Sequence, residues 1–378
     1  MEDSDEPPDD DVREPTDRDG ILETPNKISC NPSVVPTYIE GKGYPMLIRA
    51  RVPRDGRKMS GNPRDEISKV YATFLETPTR LSEEYRVLIG ADNHYAKFGT
   101  EDARAVMRPD GNLDIAAISF DGKDPRIAHY ISDPELTEAE YQGIAGPRVP
   151  LKRAIDIAGK DSYYGRIWTP LLEIAKKFGK GDMLLPNKDA SFYYPTPTEK
   201  GLFGRFPESI QYHPFEHESD LRRKDYWENE IANLEDRTIL TPEKGWQKIG
   251  MGGPPIDIDG RKIATCHRVI GTEGPFLNWY QYFGSFFELG QTEPVATARL
   301  RDALLSPKPE DRLRERTGRG RLETIKDVAF PTAMIVEGDQ IYIYYGAGDQ
   351  RIRWRTTTKQ HILEGLAHPH NRRHLLAA

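Results

Sequence analysis

The 378-residue chain carries 30% charged and 37% hydrophobic residues and no apolar run long enough to cross a bilayer, so a membrane-spanning helix is excluded. Its net charge of −7 is uneven: residues 1–19 hold ten acidic and two basic residues, a balance of −8, which leaves the remainder near +1 and argues against a nucleic-acid surface. Two cysteines, Cys30 and Cys266, exclude a disulfide framework and read as buried free thiols of a cytoplasmic protein.

In chain order, residues 1–20 read as a disordered acidic tail with no secretory signal, and the rest as one large domain. The most informative stretch is EDARAVMRPDGNLDIAAISFDGKDPRIAHYIS from Glu101. A short strand at Ala105–Met107 enters a Pro109-Asp110-Gly111 turn; Leu113–Phe120 alternates toward a turn at Asp121-Gly122, and Arg126–Ile131 returns. Asp121 therefore ends a strand at a rim.

The same pattern recurs from Asn31, Lys188, Gly252 and Phe330, five copies in all. Their spacing suits a unit of about four strands, and radial repetition of such units gives an all-β, five-bladed β-propeller; a β-sandwich with five hairpins is the alternative. Pro134–Gly181 interrupts the pattern with helical spacing at Leu171, Leu172, Ile174, Ala175 and Phe178 and reads as a partly helical insertion. Residues 217–236 fit a short helix or a strand edge, and Arg312–Arg321 reads as a basic loop, solvated or gripping an anion.

In a propeller the opening motifs and second-strand ends converge on the axis. Collected there are Asn31, Arg49, Asp102, Arg104, Asp121, Lys188, Asp189, Arg205, Lys248, His267, Tyr282 and Asp349. Carboxylates and amides suit a polyhydroxylated ligand, and arginine and lysine suit an anion beside it.

Asn31-Pro32, Glu101-Asp102-x-Arg104, Ser119-Phe120-Asp121-Gly122, Lys188-Asp189, Lys248-Ile249-Gly250 with Gly253-Pro254-Pro255, Cys266-His267, Phe330-Pro331-Thr332 and Tyr344-Tyr345-Gly346-Ala347-x-Asp349 together resemble glycoside hydrolase family 130, the β-mannoside phosphorylases and β-mannosidases. The resemblance implies a five-bladed propeller on which Asp121 is the general acid, acting through a hydroxyl of the mannosyl ring. It implies phosphate held by Lys188, Arg205 and Lys248, with His267 and Tyr282 (Tyr280 being the other candidate) nearby. Asn31, Arg49, Asp102 and Asp349 match the sugar subsite, to which Arg104 and Asp189 are also assigned. The chain departs from the family pattern at Ala103, at Phe120 and in the segment IGADNHYAKFGT, which leaves sugar and linkage open.

An inverting hydrolase needs a second carboxylate to activate water, whereas phosphate needs cations, and three cations from different units are present. The expectation is a glycosyltransferase-type inverting phosphorylase that takes an oligosaccharide and inorganic phosphate, with no metal, organic cofactor, nucleic acid or membrane partner; homo-oligomerisation is left open. An inverting β-mannosidase and a non-catalytic, lectin-like propeller are the rivals.

Overall fold

A computed structural model describes residues 18–368 apart from Lys27, 55–65, Asp92, 274–276, Thr292 and 318–321. The acidic head through residue 17 and the tip of the basic loop lie outside the described residues.

The described chain is predominantly β and builds five antiparallel units. The first comprises Ser29–Val34, Tyr44–Pro53 and Glu66–Thr77, with Arg80–Leu81 and Arg86–Ile89 on its outer edge. The second is Thr100–Met107, Leu113–Phe120, Pro125–Ser132 and Ala139–Ile144. Lys188–Tyr193, Gly201–Phe206, Ser209–Pro214 and Thr238–Leu240 form the third. In the fourth, Lys248–Met251 and Ile256–Ile258 share Arg261–Glu273, which continues to Leu277–Leu289 and Ala296–Arg299. The fifth runs Leu322–Glu337, Gln340–Ala347, Arg351–Thr358, and takes its last strand, Asp19–Leu22, from the other end of the chain.

Hydrogen bonding leaves four sheets, since a parallel pairing of 277–282 with 323–328 fuses the fourth and fifth units; no closed barrel results. Side-chain packing joins them instead. Opening strands lie against one another from the first unit to the second, second to third and third to fourth, and the fifth returns to the first. Middle strands such as Leu113–Phe120 are buried almost throughout, as a strand covered on both faces must be.

Two boundaries differ from the sequence reading. Composition ends the tail at residue 20, yet Gly20 packs so closely on Trp354 that an added Cβ would lie 2.7 Å from the indole, and Arg18 exchanges hydrogen bonds with Thr356. The fold therefore takes up the chain from residue 18. The insertion expected at 134–181 includes Ala139–Ile144, which is a strand of the second unit, so the interruption begins after it. Its helical part is α1 (Leu151–Ala158) and α2 (Tyr163–Lys177), and α3 (Lys224–Ala232) occupies the charged stretch at 217–236. These helices bury Trp168 and Trp227 against the second and third units. A fourth helix, α4 (Lys359–Ala367), was not expected; its Ile362 and Leu366 join the core shared by the fourth and fifth units.

Candidate active site

The opening strands of the first three units share a local device. Each breaks register, at Cys30/Ser33, Glu101/Arg104 and Lys188/Ser191. Within each break an Asn or Asp adopts the left-handed region: Asn31 at φ 46°, Asp102 at 54° and Asp189 at 52°. Short polar side chains tolerate this conformation best, and the bulge turns them out of the sheet. Asp349, at φ 55°, lies just past the strand Gln340–Ala347.

These residues face a cavity of about 220 Å³, lined also by Arg49, Glu101, Lys188, Arg205, Lys248, His267, Tyr282, Lys326, Val328 and Phe330. Ten of the twelve expected residues thus come together; Asp121 and Arg104 do not line it. Two larger clefts on the outer flank of the third unit, of about 520 and 590 Å³, gather none of them.

One wall is closely paired. Asn31 donates from Nδ2 to Asp102 Oδ1 at 2.7 Å, and Arg49 reaches the same oxygen from Nη1 at 3.1 Å while its Nη2 pairs with Glu101. Burial would raise the Asp102 carboxyl, but Arg49 and Arg104 hold it below the usual range. Gly346 makes the fit possible, since a Cβ there would stand 2.0 Å from Asn31 Oδ1, an oxygen buried without a partner.

The opposite wall is cationic, and here the sequence reading is corrected: Lys188 and Arg205 both belong to the third unit and only Lys248 to the fourth, so the three cations come from two units. Arg205 donates from Nε to Asp189, whose Oδ2 also lies 3.7 Å from His267 Nε2. Against its burial, Asp189 is held far below the usual carboxylate range by Arg205 and then His267. The expectation that Asp189 binds sugar is corrected to this extent: its carboxylate is engaged by the cationic wall. Gly250 lies beneath, where a Cβ would meet His267 Cε1 at 2.3 Å and Asp189 Oδ2 at 2.5 Å. Burial, and next Arg205, bring the Lys248 ammonium down to about 8, and burial brings His267 down to about 3, so its ring is neutral. Tyr282 stacks on His267 with centroids 5.8 Å apart and lies 5.5 Å beneath Lys248 Nζ, which chooses it over Tyr280 for this wall. Among the described residues neither Lys188 nor Lys248 has an ion-pair partner. Five cations therefore face four carboxylates, a net positive cavity.

Arg104 is the clearest correction. It is 1% exposed, its guanidinium 5.2 Å from the ring centroid of Phe330, and it donates to the carbonyls of Gly252 and Ala103. It supports the floor and does not reach the cavity.

Asp121 follows the strand Leu113–Phe120 directly, in the turn read from the sequence, and is not among the residues that line the cavity. Because Thr100 pairs with Ser119, the end of Leu113–Phe120 lies at the same end of the second unit as Glu101, but farther out. Its Oδ1 accepts the backbone N–H groups of Lys123 and Asp124 at 2.8 and 3.0 Å, and Oδ2 pairs with Arg126 at 3.1 Å. Partial burial is outweighed by those amides and then by Arg126, so the carboxyl is held below its ordinary value.

Glu101, Lys326 and Phe330 were missing from the expected set. Glu101 precedes a left-handed Asx as Lys188 does, a signal visible in the repeat; Lys326, 3.8 Å from Asp349, arrives only through the parallel pairing of the fourth and fifth units. Trp246 lies between Arg268 and Arg299, Trp279 donates to Asp327 and Trp354 packs under Gly20, so none is a platform in the cavity. Among the described residues no helix is long and apolar enough to cross a membrane, and no three His, Cys, Asp or Glu side chains are grouped to hold a metal.

A family model described as beta-1,4-mannooligosaccharide phosphorylase matches residues 222–367, which contain Lys248, His267, Tyr282 and Asp349. No curated protein sequence matches the chain. Among solved structures, a beta-1,2-mannobiose phosphorylase from Listeria innocua, in complex with beta-1,2-mannobiose, aligns with a TM-score of 0.59 at 16% identity over 92% of this chain and 93% of its own. A mannose phosphorylase from Leishmania mexicana, in complex with phosphate, aligns at 0.52 and 15% over 90% and 88%. A structure described under the GH130 mannoside phosphorylases, a family containing hydrolases that target beta-1,2 mannosidic linkages in Candida mannan, aligns at 0.55 and 15% over 88% and 84%. At such identities the alignments speak for the fold. The resemblance to glycoside hydrolase family 130 read from the motifs is matched by the family model over residues 222–367, and the alignments add a shared fold.

Proposed function

We propose that the chain is an inverting phosphorylase of a β-mannoside and that its five units are the blades of a five-bladed β-propeller. The observation that carries this reading is the convergence of Lys188, Arg205 and Lys248 from two units on one cavity, opposite the paired wall of Asn31, Arg49, Glu101 and Asp102. Spending Nε of Arg205 on Asp189 leaves both terminal nitrogens for an oxyanion, the geometry in which guanidinium binds phosphate best.

In this reading the mannosyl ring lies against Asn31, Asp102 and Asp349, and inorganic phosphate sits on the cationic wall. A phosphate oxygen attacks the anomeric carbon from the face opposite the leaving oxygen; the new C–O bond forms as the glycosidic bond breaks. The proton for the leaving oxygen comes from Asp121 through a ring hydroxyl, since Asp121 stands outside the cavity lining. The products are α-mannose 1-phosphate and the shortened saccharide.

Asp189 favours a second reading, because a carboxylate in the cavity could activate water. Its engagement with Arg205 and its depressed pKa make it a weak base, so phosphorolysis is preferred. The test is to incubate the protein with β-mannosides, with and without phosphate, and follow phosphorus NMR. A phosphate-dependent α-mannose 1-phosphate signal supports the proposal; free mannose regardless of phosphate makes the chain a hydrolase, and silence with retained sugar binding makes it a lectin.

A further inference from the structure

The rim beside Asp121 holds a second cationic cluster that the reaction above does not use. Tyr95, whose N–H is fixed by Asn93 Oδ1 at 2.9 Å, carries two guanidinium groups: Arg126 at 4.3 Å and Arg148 at 5.6 Å from its ring centroid. Tyr141, on the strand Ala139–Ile144, faces the same groups; burial and Tyr95 raise its hydroxyl pKa, while Arg148, Arg222 and Arg126 act against them. Arg222 enters from the turn before α3, with Nε 3.2 Å from where a Cβ on Gly143 would stand. Three arginines from three separate segments thus meet at two tyrosines.

Their charges are incompletely matched. Arg126 pairs with Asp121 at 3.1 Å and lies 3.9 Å from Asp124, yet its Nε is buried without an acceptor. Lys123 is taken by Asp182 at 2.6 Å. Among the described residues Arg148 and Arg222 have no ion-pair partner. Like charges gathered this closely repel, and a bound oxyanion relieves the repulsion through the paired donors of each guanidinium.

We propose that the corner formed by Tyr95, Arg126 and Arg148, with Arg222 behind it, is the leaving-group subsite, and that it takes a saccharide bearing an oxyanion, a uronate or a sugar phosphate. This rests on the phosphorylase reading. It also supplies what Asp121 lacks. An oxyanion on the leaving sugar competes with Asp121 for Arg126 and adds negative charge beside it; both changes favour the protonated carboxyl that an acid must be. The substrate thereby helps to arm the acid that cleaves it.

The reverse reaction tests this whatever the linkage. The full chain is incubated with α-mannose 1-phosphate and glucose, glucuronate or glucose 6-phosphate as acceptor, and phosphate release is followed at low and high salt. The two anionic acceptors, which separate the carboxylate from the phosphate source, are expected to exceed glucose in kcat/KM by about tenfold, the scale of one well-placed charged pair. Arg148→Gln, on an exposed side chain, is expected to remove most of that preference, and salt to weaken it. Equal rates with all three acceptors, or a preference unchanged in Arg148→Gln, overturn the proposal. Should no acceptor release phosphate, the phosphorylase reading fails, and calorimetric titration with glucuronate and glucose 6-phosphate decides the subsite separately. Heat that Arg148→Gln abolishes upholds it, and no heat with the unaltered chain overturns it.

Discussion

The cationic wall and the rim around Asp121 solve opposite electrostatic problems. At the wall, Asp189 takes one edge of Arg205 and leaves Lys188 and Lys248 free, so the site lacks negative charge and is ready for an anion. At the rim, Asp121 already has two amides and Arg126, so the proposed acid waits in its ionised form. For the proposed reaction the difference means that the place of the nucleophile is preformed, while the proposed acid needs a change of surroundings before it can donate.

The sharpest separation comes from Asp121→Asn. Turnover is expected to fall by roughly two to four orders of magnitude, the usual worth of a positioned acid, while calorimetric phosphate binding stays as it was. A parallel loss of phosphate binding would show that rim and wall are one unit.

Arg205→Ala attacks the wall. It removes the bidentate donor and leaves the Asp189 carboxylate facing the ligand unpaired, so KM for phosphate should rise about tenfold to a hundredfold. A fall in kcat at constant KM would mean that Arg205 serves the transition state alone.

A smaller effect follows from pH. With its pKa brought down to about 8, Lys248 is charged below that value and neutral above it, so phosphate affinity should drop several-fold between about pH 7 and 9.5. His267, at about 3, stays neutral across this range and adds no step. Lys248→Arg should flatten the profile, and a profile unchanged in that variant would remove Lys248 from the site.

Gly250→Ala should be the mildest in catalysis and be felt in stability. Its methyl would crowd His267 and Asp189, costing about 1–3 kcal/mol as overpacking does, which thermal unfolding would read. An unchanged melting temperature with unchanged phosphate KM would show that the junction yields easily.

Much of the site was legible because it is written locally. The turns at Asp110-Gly111 and Asp121-Gly122, and the polar opening of each unit, follow from φ preferences and strand alternation that a few residues encode. The repetition of Asn31-x-Ser33, Asp102-x-Arg104 and Asp189-x-Ser191 marks three bulges, and with them the cavity. The sequence likewise showed helical spacing in the segment that became α2. It missed Ala139–Ile144 as a strand, because that segment acquires its partner, Pro125–Ser132, through register with residues already placed.

Only the tertiary structure decided the rest. Arg104 and Arg49 look alike in sequence, yet the packing of the second unit on Gly252 and Phe330 keeps one out of the cavity while the other lines it. Tyr282 and Tyr280 share a face of one strand, and it is the position of His267 on the neighbouring strand that selects Tyr282. Lys326 enters because two long strands pair in parallel, and Asp19–Leu22 closes the fifth unit from the far end of the chain. Local geometry is fixed by short-range sterics and hydrogen bonding, which the sequence states directly. Which side chains meet across units depends on how the five units pack on one another, and no residue carries that information alone.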